Sequence, residues 1–297
     1  MEPNDKKEKR IVAMDSQWFT VIQTCAQKMR MEFIDHLRPE VKAEALEKGD
    51  LVHQALAEYY RGRKDGNSHE QNLEAAITRA RIAASEMDLE LDVVQEAIFQ
   101  VTECLKFHRG DGWIPLEIER PFSKLFYEDE ELQILSTGII DLIVDIPLVG
   151  PTVVDHKSSK RSTNYGILGN QFSNYAWATG VSRVLVNQIG FQKTLKPEER
   201  FKRYQMNFAQ AWLDEWKSEI VYWVKLGIWY QDNNFYPHNW SSCDKWGGCT
   251  YKRICETTPD AREWKKSVEF IKGIPWDPYS KTEENRIKGS ILEREKE

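Results

Sequence analysis

Residues 138–157, GIIDLIVDIPLVGPTVVDHK, place two carboxylates where apolar strands normally exclude them. Asp141 sits between Ile139-Ile140 and Leu142-Ile143-Val144, a run of high β-propensity. Asp155 closes a second short run, Thr152-Val153-Val154, and Lys157 lies two residues on. Strand side chains alternate, so Asp155 and Lys157 project from one face. A carboxylate inside an apolar strand is costly to desolvate unless it is paired or binds a cation. These residues alone support two readings. One is a metal site on adjacent strands with an ammonium beside it. The other is a hairpin with Asp141 at a bulge and an exposed Asp-x-Lys pair.

At 297 residues and 41% hydrophobic, the chain can bury a sizeable core. No apolar run approaches the roughly 20 residues of a membrane helix, so no membrane association is expected. MEPNDKKEKR has no apolar segment behind its charges and does not read as a secretory signal. Five cysteines in such a chain suit thiols or metal ligands better than a disulfide framework, and a cytoplasmic location is expected. The formal charge of −6 excludes a globally basic nucleic-acid binder but not local phosphate contacts.

The periodicity predicts a helical front, a β centre and a helical back. Phe19, Ile22, Ala26, Met29, Phe33 and Leu37 predict an amphipathic helix over 16–37. Further helices are expected at about 40–62 and in two stretches reaching His108, then strands at 114–120, 122–127, 132–146 and 152–157. Glu128–Glu131 reads as a hairpin tip. A helix at 166–179, a strand at 182–191 and a long helix at 205–231 follow, the last with Trp212, Trp216, Ile220 and Trp223 as a core stripe. The domain reading is a charged tail (1–15), a helical region carrying Cys25 and His53 (16–110), a catalytic core (111–235), a cysteine segment (236–275) and a charged tail (276–297).

The pattern G-φ-φ-D … φ-φ-D-x-K resembles the PD-(D/E)xK nuclease superfamily, and its surroundings resemble the RecB-like branch. Gly49-Asp50-Leu51-Val52-His53 is similar to the branch's G-x-x-x-H element, and Gln171-Phe172-Ser173-Asn174-Tyr175 to its Q-x-x-x-Y helix. A late cluster, Cys243, Cys249 and Cys255, and one early cysteine, Cys25, complete the likeness over roughly residues 16–256. The resemblance implies an α/β, restriction-endonuclease-like core, a central mixed sheet flanked by helices. It also implies a metal-dependent deoxyribonuclease that acts as an exonuclease on single strands or DNA ends. Recombination, repair or phage DNA metabolism would be the setting, with a helicase or recombination protein as possible partner. CRISPR adaptation-type nucleases share every motif, and a DNA-end-binding subunit with a residual site is the alternative of another class.

Site roles follow from the resemblance and from residue chemistry. Mg²⁺ and Mn²⁺ prefer oxygen ligands and tolerate an imidazole, which suits Asp141, Asp155 and His53, with the His156 carbonyl as a further donor. Lys157 would orient or deprotonate water, or offset phosphate charge. Gln171 and Tyr175 share a helix face and would position DNA or the lysine, and Tyr165 or Tyr175 would stack on unpaired bases. Glu119 of LEIERPF stands where the family often has a glutamate, but Glu117 shares its strand face and the two are not separable.

Cys243-x5-Cys249-x5-Cys255 lies in a turn-rich segment with Gly247 and Gly248, and loops of this kind let thiolates converge on iron–sulfur or zinc. The resemblance implies a [4Fe–4S] cluster with Cys25 as fourth ligand. The family's first gap is usually shorter, which keeps Zn²⁺ open, as is a site with no metal. Cys104 has no partner and is expected to be a buried or free thiol.

Overall fold

The computed structural model describes residues 9–40, 43–159, 169–245 and 248–273. The chain opens with β1 (Arg10–Met14), α1 (Ser16–Thr24), α2 (Ala26–Met29), a π-turn (Arg30–Ile34) and β2 (Leu37–Pro39). Three helices follow, α3 (Glu44–Lys64), α4 (His69–Glu86) and α5 (Leu91–Phe107), then β3 (Ile114–Glu128), β4 (Leu132–Ile146) and β5 (Gly150–Ser159). Next come α6 (Asn170–Thr179), β6 (Arg183–Gly190), α7 (Pro197–Arg200), β7 (Arg203–Asn207) and α8 (Gln210–Asp232). α9 (Lys252–Glu256), α10 (Arg262–Glu269) and β8 (Phe270–Lys272) close the described chain.

Two compact units interleave along the sequence. The sheet unit comprises Lys42–Pro121 and Ile139–Leu213; the cysteine unit comprises Met1–Val41, Phe122–Gly138 and Asp214–Glu297. In the sheet unit, the second half of β4 pairs antiparallel with β5 (Leu142↔Val154, Ile143↔Val153). β5 pairs parallel with β6 (Val153↔Val184 through Ser159↔Gly190), and β6 antiparallel with β7 (Arg183↔Asn207 through Asn187↔Arg203). Parallel neighbours need a crossover, and α6 supplies it between β5 and β6. The core joins Val52, Leu56 and Tyr60 of α3, Ala76 and Ala80 of α4 and Val101 and Leu105 of α5 to Leu142, Val154 and Ile189 of the sheet. α4 starts on a capping box, with the Ser68 hydroxyl accepting from Gln71 N–H and the Gln71 side chain accepting from Ser68 N–H. α3 and α4 meet at Gly62, where a Cβ would fall 2.0 Å from Asn72 Oδ1. The mixed sheet with flanking helices is the architecture that the sequence predicts.

In the cysteine unit, β1 runs parallel to the first half of β4 (Arg10↔Leu132 through Met14↔Ser136), and β2 pairs antiparallel with β8. The expected helix over 16–37 is interrupted. Cys25 is extended (φ −168, ψ 126) between α1 and α2, and a π-turn follows. Phe19, Ile22, Ala26, Met29 and Phe33 are nevertheless all buried, because the break keeps the apolar face inward. The expected helix over 205–231 is also corrected. Residues 203–207 form β7, in which Met206 is buried and Gln205 and Asn207 are exposed, a period of two. The stripe on α8 is only partly core: Trp216 and Ile220 are buried, whereas Trp212 is 46% exposed. The strands expected at 114–120 and 122–127 are one strand, β3. Among the described residues no helix is long and apolar enough to cross a membrane.

Candidate active site

The two carboxylates of the opening motif lie on adjacent strands of the sheet unit. Gly138 ahead of Asp141 has a packing reason of its own, since a Cβ there would meet the Phe122 ring at 2.8 Å. Asp141 Oδ2 accepts the His156 main-chain N–H at 2.8 Å and lies 3.3 Å from His53 Nδ1 on α3. One β-strand thus fixes the carboxylate of the next. Asp155 is completely buried, with Lys157 Nζ 2.9 Å from its Oδ2, on the shared face that alternation requires.

Burial pushes the Asp155 carboxyl up to about 6, the Lys157 ammonium opposing and Asp141 adding to the rise. The folded-state value is above the unfolded one, so over the window from about 4 to about 6 the folded metal-free protein holds a proton that the unfolded chain has lost. Asp155 therefore lowers stability as pH rises through that window. Denaturant unfolding of metal-free wild type should show this loss, and Asp155→Asn should abolish that part of the pH dependence. An unchanged slope in the variant would contradict the assignment.

His53, Glu119 and Asp141 each offer a ligand atom, and these atoms lie within 4.8 Å of one another. One imidazole and two carboxylates form a donor set that fits Mg²⁺ or Mn²⁺. Asp155 is not one of this trio. The structure also separates the two glutamates. Glu117 accepts from Arg120 at 2.8 Å, whereas Glu119 joins the trio. Glu119 does so from a left-handed backbone, φ +48, in the middle of β3. That conformation is rare for a non-glycine residue, and such irregularities re-aim side chains beside functional sites. The His156 ring is turned away from the carboxylates into the core, stacked on Tyr60 at 5.8 Å.

On α6, Gln171 Nε2 donates to the Tyr175 hydroxyl at 3.0 Å, and that hydroxyl donates to the Ile139 carbonyl at 2.8 Å. The pair braces β4 two residues before Asp141. Burial, reinforced by Asp141 and Asp155, pushes the Tyr175 hydroxyl well above its ordinary value, so it stays a donor. Base stacking by Tyr175 is corrected: the ring is 5% exposed and its hydroxyl is committed internally. Tyr165 lies outside the described residues, as do Gly247 and the tail 276–297.

Cys25, Cys243, Cys249 and Cys255 all belong to the cysteine unit and are free thiols. Cys25 sits at the break between α1 and α2, Cys243 ends a 3-10 turn, and Cys255 is on α9. Cys249 N–H donates to the Cys243 carbonyl at 2.7 Å. Burial, then the charges of Cys25, Cys249 and Cys243, push the Cys255 thiol up to about 11. Cys104 is apart from them, buried in the sheet-unit core, and burial pushes its thiol up to about 12.

A protein-family model described as the PD-(D/E)XK nuclease superfamily matches residues 19–256. The chain belongs to that superfamily. Membership implies a metal-dependent nuclease with DNA as substrate, and the trio around Asp141 is a carboxylate–imidazole group of the kind such an enzyme needs. Among solved structures, the nuclease is similar to one titled "Crystal structure of SSO0001", with 14% identity, a TM-score of 0.39, and coverage of 85% of this chain and 89% of that one. No protein with a curated description matches it.

Proposed function

We propose that this nuclease is a Mg²⁺- or Mn²⁺-dependent deoxyribonuclease of the RecB-like branch that works exonucleolytically on single-stranded DNA or DNA ends. The observation that carries the reading is the approach of His53, Glu119 and Asp141, with Lys157 on the next strand paired to Asp155. His53, Glu119 and Asp141 would hold the divalent ion, with Asp155 and the His156 carbonyl as further donors. When bound, the ion supplies charge relief on the phosphate and lowers the proton affinity of water. Lys157, 29% exposed at its side chain, can face a phosphate oxygen or hold the attacking water while tethered to Asp155. The Gln171–Tyr175 pair keeps β4 in place while DNA is engaged. A cytoplasmic setting, and a helicase or recombination partner, fit this activity.

Linear single strands should be degraded in Mg²⁺ or Mn²⁺ while covalently closed circular duplex resists, and chelation of the metal should stop cleavage. Binding should weaken steeply with salt although the net charge is −6, because phosphate neutralisation is local. Efficient cutting of closed circles would mark an endonuclease and overturn the exonuclease reading.

The four cysteines of the cysteine unit are proposed to hold a [4Fe–4S] cluster. The four share the cysteine unit, and Cys25, Cys249 and Cys243 all raise the Cys255 thiol, which supports one shared metal group for them. Four thiolates saturate the irons of such a cluster, which leaves it a structural role.

A further inference from the structure

Three polar side chains cross the sheet unit in one row. His156, Asn187 and Arg203 are register partners on β5, β6 and β7. His156 and Asn187 are 3% and 1% exposed, on strands whose adjoining residues include buried Val154 and Val186. Arg203 grips Asp111 with both terminal nitrogens, Nη1 to Oδ1 at 2.9 Å, and its guanidinium lies 3.9 Å over the Trp113 ring. Arg203 Nε donates to Asn187 Oδ1 at 3.2 Å. A guanidinium can only donate, so the Asn187 oxygen faces it and the amide nitrogen must face His156 Nδ1, 3.1 Å away. The imidazole is then held on three sides, by Asn187, by the stacked Tyr60 ring, and by the His53 ring edge-on at 6.3 Å. The same residue's main-chain N–H is the donor to Asp141.

We propose that Asn187 and Arg203 are positioning residues for the metal site, locking the His156 ring and through it the stretch of β5 that aims an N–H at Asp141 and sets the wall against His53. This rests on the metal-binding reading of the site. Burying a row of polar groups is costly, and an apolar trio would build the same sheet without the cost. What the row adds lies at its His156 end, where two of the three candidate ligands touch that one residue. Partners behind the ligands orient them in this way, and their loss typically weakens metal affinity by about 10- to 100-fold.

The test uses the full chain and Mn²⁺ alone, with affinity read by calorimetry and the Mn²⁺ paramagnetic resonance spectrum, and folding by circular dichroism. Asn187→Leu removes the amide's bonds to His156 and Arg203; Arg203→Lys keeps a cation for Asp111 and loses the planar donor to Asn187. Folded Asn187→Leu and Arg203→Lys should each bind Mn²⁺ roughly tenfold or more weakly. At limiting Mn²⁺ kcat should fall in proportion, while KM for DNA moves less than about twofold, a split that general loosening would not give. The double variant should be no weaker than Asn187→Leu alone, since the residues act in series. Folded variants with wild-type Mn²⁺ affinity overturn the proposal, and if Asn187→Leu does not fold, Arg203→Lys decides by the same criterion. A wild type that binds no Mn²⁺ sinks the metal-site reading and this proposal with it; failure of the proposal alone needs a wild type that binds and variants that bind equally well.

Discussion

Asp141→Ala should lose at least about 10³-fold in cleavage of linear single-stranded DNA, since a bound divalent ion contributes several kcal/mol and each 1.36 kcal/mol is tenfold in rate. Asp141 is linked to three other residues of the site. It accepts from the His156 main chain, lies 3.3 Å from His53 and completes the trio with Glu119. Removing its carboxylate would take away a proposed ligand and leave a buried N–H without its acceptor. DNA binding should survive, because removing a carboxylate takes no basic side chain from the protein. Lys157→Ala should separate the roles further, losing turnover while Mn²⁺ still binds. The measurements are initial rates in saturating Mn²⁺, Mn²⁺ affinity, and DNA affinity without a catalytic metal. Wild-type rates in both Asp141→Ala and Asp155→Ala would place the active site elsewhere.

The parts of this site that could be read from sequence are those that violate local patterning. Asp141 and Asp155 stand out because they interrupt apolar strands, and Lys157 because it shares the Asp155 face. Sequence does not separate Glu119 from Glu117, since alternation puts them on the same side; the deciding feature is the φ of +48 at Glu119, which no residue type announces. The Asn187–Arg203 row left no signal either, because its members meet only through strand register. Periodicity also proved a guide to faces rather than to backbone continuity. Phe19 to Phe33 kept one buried face through the break at Cys25, while the two-residue alternation of Met206 and Phe208 was masked by the tryptophans that follow. Helix spacing shows that Gln171 and Tyr175 share a side, but not that α6 turns this side onto β4 through the Ile139 carbonyl.

If the four cysteines hold the proposed cluster, protein purified without oxygen should be brown with about four irons per chain, and serine at Cys25, Cys243, Cys249 or Cys255 should bleach it. Each substitution should also cost much of the stability of the cysteine unit. Cys25 lies near one end of the described chain and Cys255 near the other, so a shared cluster closes a very long loop and removes its entropy from the unfolded state. Cys25 occupies the extended break between α1 and α2, and Cys249 and Cys255 pack with Met31, Leu37, Tyr251 and Ile254. Without metal, burial and the neighbouring Cys25, Cys249 and Cys243 push the Cys255 thiol up to about 11, a cost that ligation would remove. Cys104→Ser should leave colour and iron content untouched, because that thiol is buried in the sheet unit and held at about 12. Because a cluster held by four thiolates would have no open position, the serine variants that still fold should keep the divalent-metal chemistry proposed at Asp141. Colourless wild type with stoichiometric zinc would replace iron–sulfur by zinc and leave the nuclease site standing. Full colour in Cys25→Ser would remove Cys25 as the fourth ligand and with it the link between the two ends of the chain.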